Sequence, residues 1–315
     1  MSGQGTWNSR CCHFVVAVTA GACSFSTLLA SLVFLLGLPP GVIVAADDAG
    51  GWVQERLEFE DPLPPGTPVK VVNHYGDVRV KGIKDDHLPV FAVLQKRTDT
   101  AFNPRVEIKH GEISTVTVVA GGAEGRSTGS SVVKDPGFRV DLAVFIPPAS
   151  DVSVETGNGL IKVKGPKKRI SATSVMGNIT LYPYDQVIAE TRDGTIQTMF
   201  KSGDWSGDSS FKTLTGDIWV RLPRPVDAKA DVMTSGEIAT DFSMDIKRPL
   251  RSRMKSGNAR ISESKNGRRG PLARGLRRII NPFRRVPTVE IESNIGSVHL
   301  QAWFAEWKES VEGDE

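Results

Sequence analysis

The chain has 315 residues, of which 39% are hydrophobic and 24% charged, so it can bury a core, which excludes disorder of the whole chain. Its 31 glycines, its 19 prolines and an aromatic content of 7% indicate many turns and an all-β architecture, which excludes a helical bundle. The interpretation of the net charge of +3 and of the three cysteines depends on the positions of the charged residues and cysteines along the chain.

Residues 1–46 are typical of an export segment. No Asp, Glu, Lys or Arg occurs from Cys11 to Ala46, and a dense apolar run ends at Leu38 before two prolines. Small residues then precede Asp47, as at a signal-peptide cleavage site. The segment predicts a signal peptide, with an uncleaved signal anchor as the alternative because it is long enough to span a bilayer. We therefore expect a periplasmic, cell-surface or secreted protein.

All three cysteines, Cys11, Cys12 and Cys23, lie in this segment. Residues 47–315 therefore carry no thiol chemistry, no disulfide and no cysteine metal site. The histidines after residue 46 are scattered, and no pair has metal-ligand spacing. We expect neither a cofactor nor a metal.

Residues 47–150 are predicted to form a smaller strand-rich region that lacks a repeat and caps the remainder. Its clearest strand patterns cover residues 52–59, 89–94, 112–119 and 138–145.

A short unit recurs mainly in residues 151–302: a glycine, a usually polar residue, an aliphatic residue, any residue, and another β-compatible one. From Gly159 the glycines are spaced 18, 17, 22, 20, 21 and 39 residues apart, so the period is about twenty. The predicted turn glycines are Gly76, Gly159, Gly177, Gly194, Gly216, Gly236, Gly257 and Gly296.

The unit has a simple physical interpretation. Glycine accepts a turn conformation that a side chain would resist, and alternation sends the second and fourth residues after it to one face, such as Ile161 and Val163. One repeat cannot bury this apolar stripe alone, so neighbours are expected to stack into a β-solenoid. The alternative is an antiparallel sandwich with hairpins at the glycine turns.

One interval, residues 264–286, departs from the repeat. It contains eight basic residues and no acidic one. When residues 1–46 and this interval are both left out, the rest of the chain has 30 basic and 36 acidic residues. Apolar residues at helical spacing predict a short basic amphipathic helix, which suits an anionic membrane surface or an envelope polymer. The alternative is a solvated insertion, and export disfavours nucleic acid as a partner. The candidate contacts are Arg268, Arg269, Arg274, Arg277, Arg278, Arg284 and Arg285.

Residues 303–315 form the predicted C-terminal cap and acidic tail, in which Trp303, Phe304 and Trp307 would cover the final coil.

Catalytic residues are hard to find. The carboxylates near the repeated turns are Asp77, Asp193, Asp217 and Glu237, but Asp and Asn are common at turns for conformational reasons. Paired acid and base catalysis needs two carboxylates at a set separation. His299 lies between two apolar residues, and alternation points it outward. We expect no enzyme, with a polysaccharide lyase or hydrolase as the alternative.

The run from Phe138 to Gly159, followed by the Gly-polar-Ile units, resembles the bacterial putative-adhesin β-strand-repeat family, long catalogued as a domain of unknown function. The resemblance covers about Val69 to Leu300, apart from the interval between Gly257 and Gly296. It implies an exported, β-solenoid-like envelope protein without an assigned catalytic residue. The predicted function is a non-catalytic, adhesin-like or envelope-associated interaction module, which could also bind another envelope protein. The further alternative is an envelope-stress accessory protein that binds anionic membrane through its Arg-rich insertion.

Overall fold

The computed structural model of the chain describes residues 43–46, 51–121, 136–224, 226–247, 255–262 and 286–303. Every regular element among them is a strand, and none of the described residues forms a helix that could cross a membrane. The strands are β1 (Ile43–Ala46), β2 (Trp52–Pro62), β3 (Val69–Tyr75), β4 (Val78–Gly82), β5 (His87–Arg97), β6 (Asn103–Lys109), β7 (Ser114–Gly121), β8 (Phe138–Ile146), β9 (Val152–Asn158), β10 (Ile161–Lys164), β11 (Ile170–Met176), β12 (Ile179–Tyr182), β13 (Val187–Asp193), β14 (Ile196–Met199), β15 (Ser209–Thr215), β16 (Ile218–Pro223), β17 (Asp227–Thr234), β18 (Ile238–Thr240), β19 (Asp245–Lys247), β20 (Lys255–Ser262), β21 (Thr288–Ile295) and β22 (Val298–Trp303).

The strands form two mixed sheets of eleven strands each, which confirms the all-β prediction. Sheet A has the order β1-β2-β5-β8-β4-β10-β12-β14-β16-β22-β18. Sheet B has the order β19-β20-β17-β21-β15-β13-β11-β9-β3-β7-β6.

Each repeat contributes one strand to each sheet. The strand before the repeat glycine lies in sheet B and the strand after it in sheet A, and we call such a pair a rung, named by its glycine. Successive rungs pair in parallel and in register: Ile161 is opposite Ile179, which is opposite Ile196. The hairpin alternative is therefore wrong, because the two strands that flank a glycine are not paired with each other.

The strand-rich region before residue 150 contains a rung of its own. Strands β3 and β4 flank Gly76 and pair in parallel with β9 and β10 of the Gly159 rung. Antiparallel pairs extend the sheets from there, with β2, β5 and β8 in sheet A and β6 and β7 in sheet B.

The last rungs do not follow chain order. The Gly296 rung, β21 and β22, lies between the Gly216 rung and the Gly236 rung in both sheets. Trp303 therefore ends a strand inside the stack and does not cover its final coil as predicted, while Phe304 and Trp307 lie outside the described residues.

Gly257 is not a turn glycine, which corrects the prediction. It lies inside β20, opposite Val232 of the antiparallel neighbour β17. Its surroundings match the repeat because a glycine within an alternating strand gives the same local pattern as a glycine at a turn.

The predicted apolar stripe is confirmed. The second and fourth residues after the glycine are almost fully buried in the rungs of Gly76, Gly159, Gly177, Gly194, Gly216 and Gly296. They join buried residues of sheet B, among them Val154, Ala172 and Phe211, in one hydrophobic cluster. The stripe of sheet A and the inward residues of sheet B thus form one shared core.

The turn glycines stack directly on one another. A Cβ atom on Gly177 would lie 2.0 Å from the carbonyl oxygen of Gly159, and one on Gly216 would lie 2.2 Å from that of Gly194. Gly216 also has a φ of +138°, in the region that L side chains avoid. This glycine ladder comprises Gly76, Gly159, Gly177, Gly194, Gly216, Gly296 and Gly236.

Beside it runs a buried ladder of polar side chains, one from each rung. Thr191, Thr213 and Ser293 each donate a hydroxyl hydrogen bond to the glycine carbonyl of the preceding rung in the stack, at 3.2, 3.1 and 3.0 Å. These bonds satisfy carbonyl groups inside the core, where an unpaired polar group is costly. The polar ladder comprises Asn73, Thr156, Ser174, Thr191, Thr213, Ser293 and Thr234.

The glycine ladder predicts that Gly216→Ala destabilises the protein strongly. The added Cβ atom would meet the carbonyl of Gly194 and would force alanine to a positive φ, which together cost roughly 2–6 kcal/mol. Thermal unfolding followed by circular dichroism measures the loss. The matched control is Gly111→Ala, because the nearest atom to its Cβ would lie at 3.8 Å. Equal melting temperatures for the two variants would contradict the ladder.

The polar ladder predicts that Thr213→Val lowers the free energy of unfolding by about 1–3 kcal/mol, because it removes a buried hydrogen bond without changing the side-chain shape. Urea unfolding measures the change. Thr173→Val is the control, since Thr173 lies exposed on the outward face of the same sheet. A smaller effect at Thr213 than at Thr173 would refute the role of the ladder.

Candidate functional site

Four cations form a compact group on the outward face of sheet A. Alternation along β4 exposes Arg79 and Lys81, and the same positions of β10 are Lys162 and Lys164. The parallel register places Arg79 opposite Lys162 and Lys81 opposite Lys164. Neighbouring strands are about 4.8 Å apart, so the four side chains make a two-by-two array, which we call the basic face.

The strands around the array carry few acidic residues, and Asp141 of the adjacent strand β8 lies 2.8 Å from Arg139. Strands β4, β10, β12, β14, β16 and β22 contain no Asp or Glu. Among the residues that the structure describes, Arg79, Lys81 and Lys164 form no ion pair. The connection after β10 adds the exposed residues Lys167, Lys168 and Arg169. The local charge is therefore strongly positive although the protein as a whole is nearly neutral.

Aromatic side chains continue the same face toward β22. Trp219 and His299 occupy opposite positions of β16 and β22 and stack with ring centroids 3.5 Å apart and planes 4° apart. His299 points outward, as predicted from alternation. These half-buried rings lie on the same side of sheet A as the basic face, with β12 and β14 between them.

A second aromatic group lies where strands β12 and β22 of this face end. The Nζ atom of Lys201 lies 5.3 Å from the ring centre of Tyr182 and 5.8 Å from that of Trp303, within the range of cation–π attraction. The indole Nε1–H of Trp303 donates to the carbonyl of Phe200 at 3.0 Å. The hydrogen bond fixes the orientation of this ring.

The outward face of sheet B has a different character. Some of its cations are paired: Lys70 contacts Glu155 at 2.7 Å, and Lys212 lies 3.7 Å from Glu292. A shallow groove of about 410 Å³ crosses it, lined by residues that include Thr173, Glu190 and Lys212. Its mixture of paired charges does not select one class of ligand.

At the edge of sheet B, Glu107 of β6 lies between two cations of the same strand. Its carboxylate is 3.3 Å from Lys109 and 2.8 Å from Arg105. The hydrogen bond to Lys109, together with that to Arg105, lowers the pKa of Glu107. These three charges sum to +1, compared with +4 for the four residues of the basic face.

The carboxylates weighed as catalytic candidates take part in turn structure. Asp77 accepts the backbone N–H of Leu160 at 2.9 Å, and Asp217 accepts that of Ser297 at 2.7 Å. Asp193 is paired with Arg192 at 2.8 Å, while Glu237 lies exposed at its turn. Across the described ranges, no three His, Cys, Asp or Glu residues are grouped closely enough to hold a metal ion.

The predicted contact arginines, from Arg268 to Arg285, lie outside the described residues. The basic face was missed by the sequence reasoning, although a signal for it exists. The third and fifth residues after a repeat glycine are the outward positions, and they are basic after both Gly76 and Gly159.

No family model matches the sequence, and no curated protein matches it. Among solved structures, the chain is similar to a putative cell adhesion protein from Clostridium sporogenes, with 10% identity, a TM-score of 0.41, and coverage of 79% of this chain and 100% of that one. Putative adhesins from Bacteroides fragilis and Parabacteroides distasonis are similar over 79% of this chain and 97% of theirs, with identities of 10% and 9% and TM-scores of 0.34 and 0.25. At these scores the similarities do not establish a shared fold or a shared function.

Proposed function

We propose that this protein is a non-catalytic, exported interaction module that binds an anionic polysaccharide of the cell envelope through the basic face of sheet A. The observation that carries the proposal is the array of Arg79, Lys81, Lys162 and Lys164 on strands without acidic residues. Like charges at directly opposite positions of a sheet destabilise it, so a bound polyanion would relieve a repulsion that is built into the fold.

The stacked rungs support an extended ligand. Their parallel, in-register pairing is the basis on which we propose a β-solenoid, in which each rung presents its outward side chains at a constant interval. A repetitive polymer can follow such a flat face over several rungs, with long-range attraction that guides its approach. This is an adhesin-like role, in which many weak contacts act together.

The aromatic residues favour a polysaccharide over other polyanions. Tyr182 lies opposite Lys164 of the basic face, and Trp303 and Trp219 continue this rigid apolar ring surface along the same sheet. Sugar rings have apolar faces that pack against aromatic side chains, whereas a polypeptide polyanion lacks such rings.

Export and the Arg-rich insertion are parts of the same proposal. Residues 1–46 would direct the chain out of the cytoplasm, and residues 264–286 would add a second contact to the anionic envelope. The proposal involves no cleavage of the polymer, and it assigns the turn carboxylates Asp77 and Asp217 the structural role of accepting backbone hydrogen bonds.

The variant Arg79→Gln, Lys81→Gln, Lys162→Gln, Lys164→Gln tests the basic face. We expect its affinity for polygalacturonate to fall by about fourfold or more, because four exposed charge contacts of about 0.2–1 kcal/mol each are removed and 1.4 kcal/mol is tenfold. The wild-type affinity should decrease as salt is added, since exposed charges are screened. Isothermal titration calorimetry with polygalacturonate measures both effects.

The matched control removes the same charge from the opposite sheet, as Lys70→Gln, Arg192→Gln, Lys212→Gln, Lys229→Gln. Equal losses in the two variants would reduce the effect to net charge and overturn the basic face as the site. Equally tight binding of polyglutamate by the wild type would refute a polysaccharide ligand. Shortening of polygalacturonate during the incubation, measured by size-exclusion chromatography, would disprove the non-catalytic role.

The variant Arg277→Gln, Arg278→Gln, Arg284→Gln, Arg285→Gln tests the insertion. We expect it to lose binding to phosphatidylglycerol vesicles in a sedimentation assay, because each cation near an anionic surface contributes about 1 kcal/mol. Phosphatidylcholine vesicles serve as the uncharged control. Unchanged sedimentation with phosphatidylglycerol would remove the insertion from the proposal, whereas the basic face is judged by the polygalacturonate titration alone.

A further inference from the structure

The Gly296 rung occupies a position that chain order does not explain. Strand β21 pairs in parallel with β15 on one side and with β17 on the other, and β22 pairs likewise with β16 and β18. Both flanking rungs come earlier in the chain. The last described segment therefore fills a slot between two rungs that are already connected to each other.

The slot is complementary to this segment on both walls. Ile291 is opposite Phe211 on one wall and Val232 on the other, and all three side chains are buried. Ser293 donates to the carbonyl of Gly216, and Thr234 donates to that of Gly296 at 2.5 Å. The rung is thus held by ladder hydrogen bonds on two sides at once.

The connection to this rung is long. Between Ser262 at the end of β20 and Thr288 at the start of β21 lie 25 residues, whereas only three separate β16 from β17. When extended, 25 residues reach roughly 80 Å. The short connection ties the two walls together, and the number of residues in the long one is enough to reach the slot of a second copy.

We infer that residues 288–303 are a donor rung that can be exchanged between chains. During folding, the slot of one chain accepts either its own donor rung or that of a second copy. The exchanged contacts are identical to the internal ones, so exchange between two copies costs little beyond association. The rung also supplies His299, Gln301 and Trp303 to the aromatic part of the outward face. In an exchanged dimer, each such surface would combine Trp219 of one chain with His299 of the other.

A disulfide between opposite outward positions tests this directly. Arg221 and Gln301 are partners on β16 and β22, at the strand spacing of about 4.8 Å that a disulfide can bridge. Two full-length chains of different tag size, both with Cys11→Ser, Cys12→Ser and Cys23→Ser, carry either Arg221→Cys or Gln301→Cys. They are unfolded in urea, mixed, refolded together and oxidised, and the products are separated on a non-reducing gel.

We expect a cross-linked heterodimer whose fraction rises up to about tenfold when the protein concentration during refolding is raised about tenfold, as mass action requires for exchange between two chains. A chain with both cysteines is the positive control and should cross-link within itself at low concentration. Replacing Gln301→Cys by Lys229→Cys gives the negative control, because Lys229 lies on sheet B and is not a partner of Arg221. A heterodimer no more abundant than in this control, with full cross-linking of the double variant, would overturn the inference.

Discussion

The stack depends on one close approach: at each turn, the backbone carbonyl of one rung passes where the next rung would carry a Cβ atom. The distance of about 2.0 Å between that position and the carbonyl leaves glycine as the residue that fits, as at Gly177 over Gly159. Because the approach recurs at every rung, it sets the register of both sheets together. Once the glycine is placed, alternation along the strand that follows it determines which side chains point inward and which point outward.

The chemistry of the turn follows from this constraint. Bringing the carbonyls into the interior requires donors, and the polar ladder supplies them from Thr191, Thr213 and Ser293. On the outer side of the turn, Asp77 and Asp217 accept backbone N–H groups of the adjacent rung. These residues, which look like catalytic candidates along the sequence, therefore connect rungs. The outward positions further along each strand are left free to vary, and the basic face arose there.

Alternation and the spaced glycines were enough to predict the strands, the turns and the buried stripe, because those features are local to one repeat. Gly257 misled for the same reason: a strand glycine opposite Val232 and a turn glycine look alike over six residues. The placement of the Gly296 rung was not predictable. All rungs share the same local pattern, so the sequence does not show which rungs pair with each other. Lys162 and Lys164 were visible as outward cations, but only the fold brings Arg79 beside them from 83 residues away.

The interior position of the last described rung matters when the protein is under load. If tension acts on the chain at Trp303, the rung cannot be peeled away as an edge strand would be. Strands β21 and β22 each have a partner on both sides, so four strand pairings must break for the rung to leave. A rung at the end of the stack would release after two. The position of this rung between two others thus makes the chain resistant to pulling at the point where the described residues end.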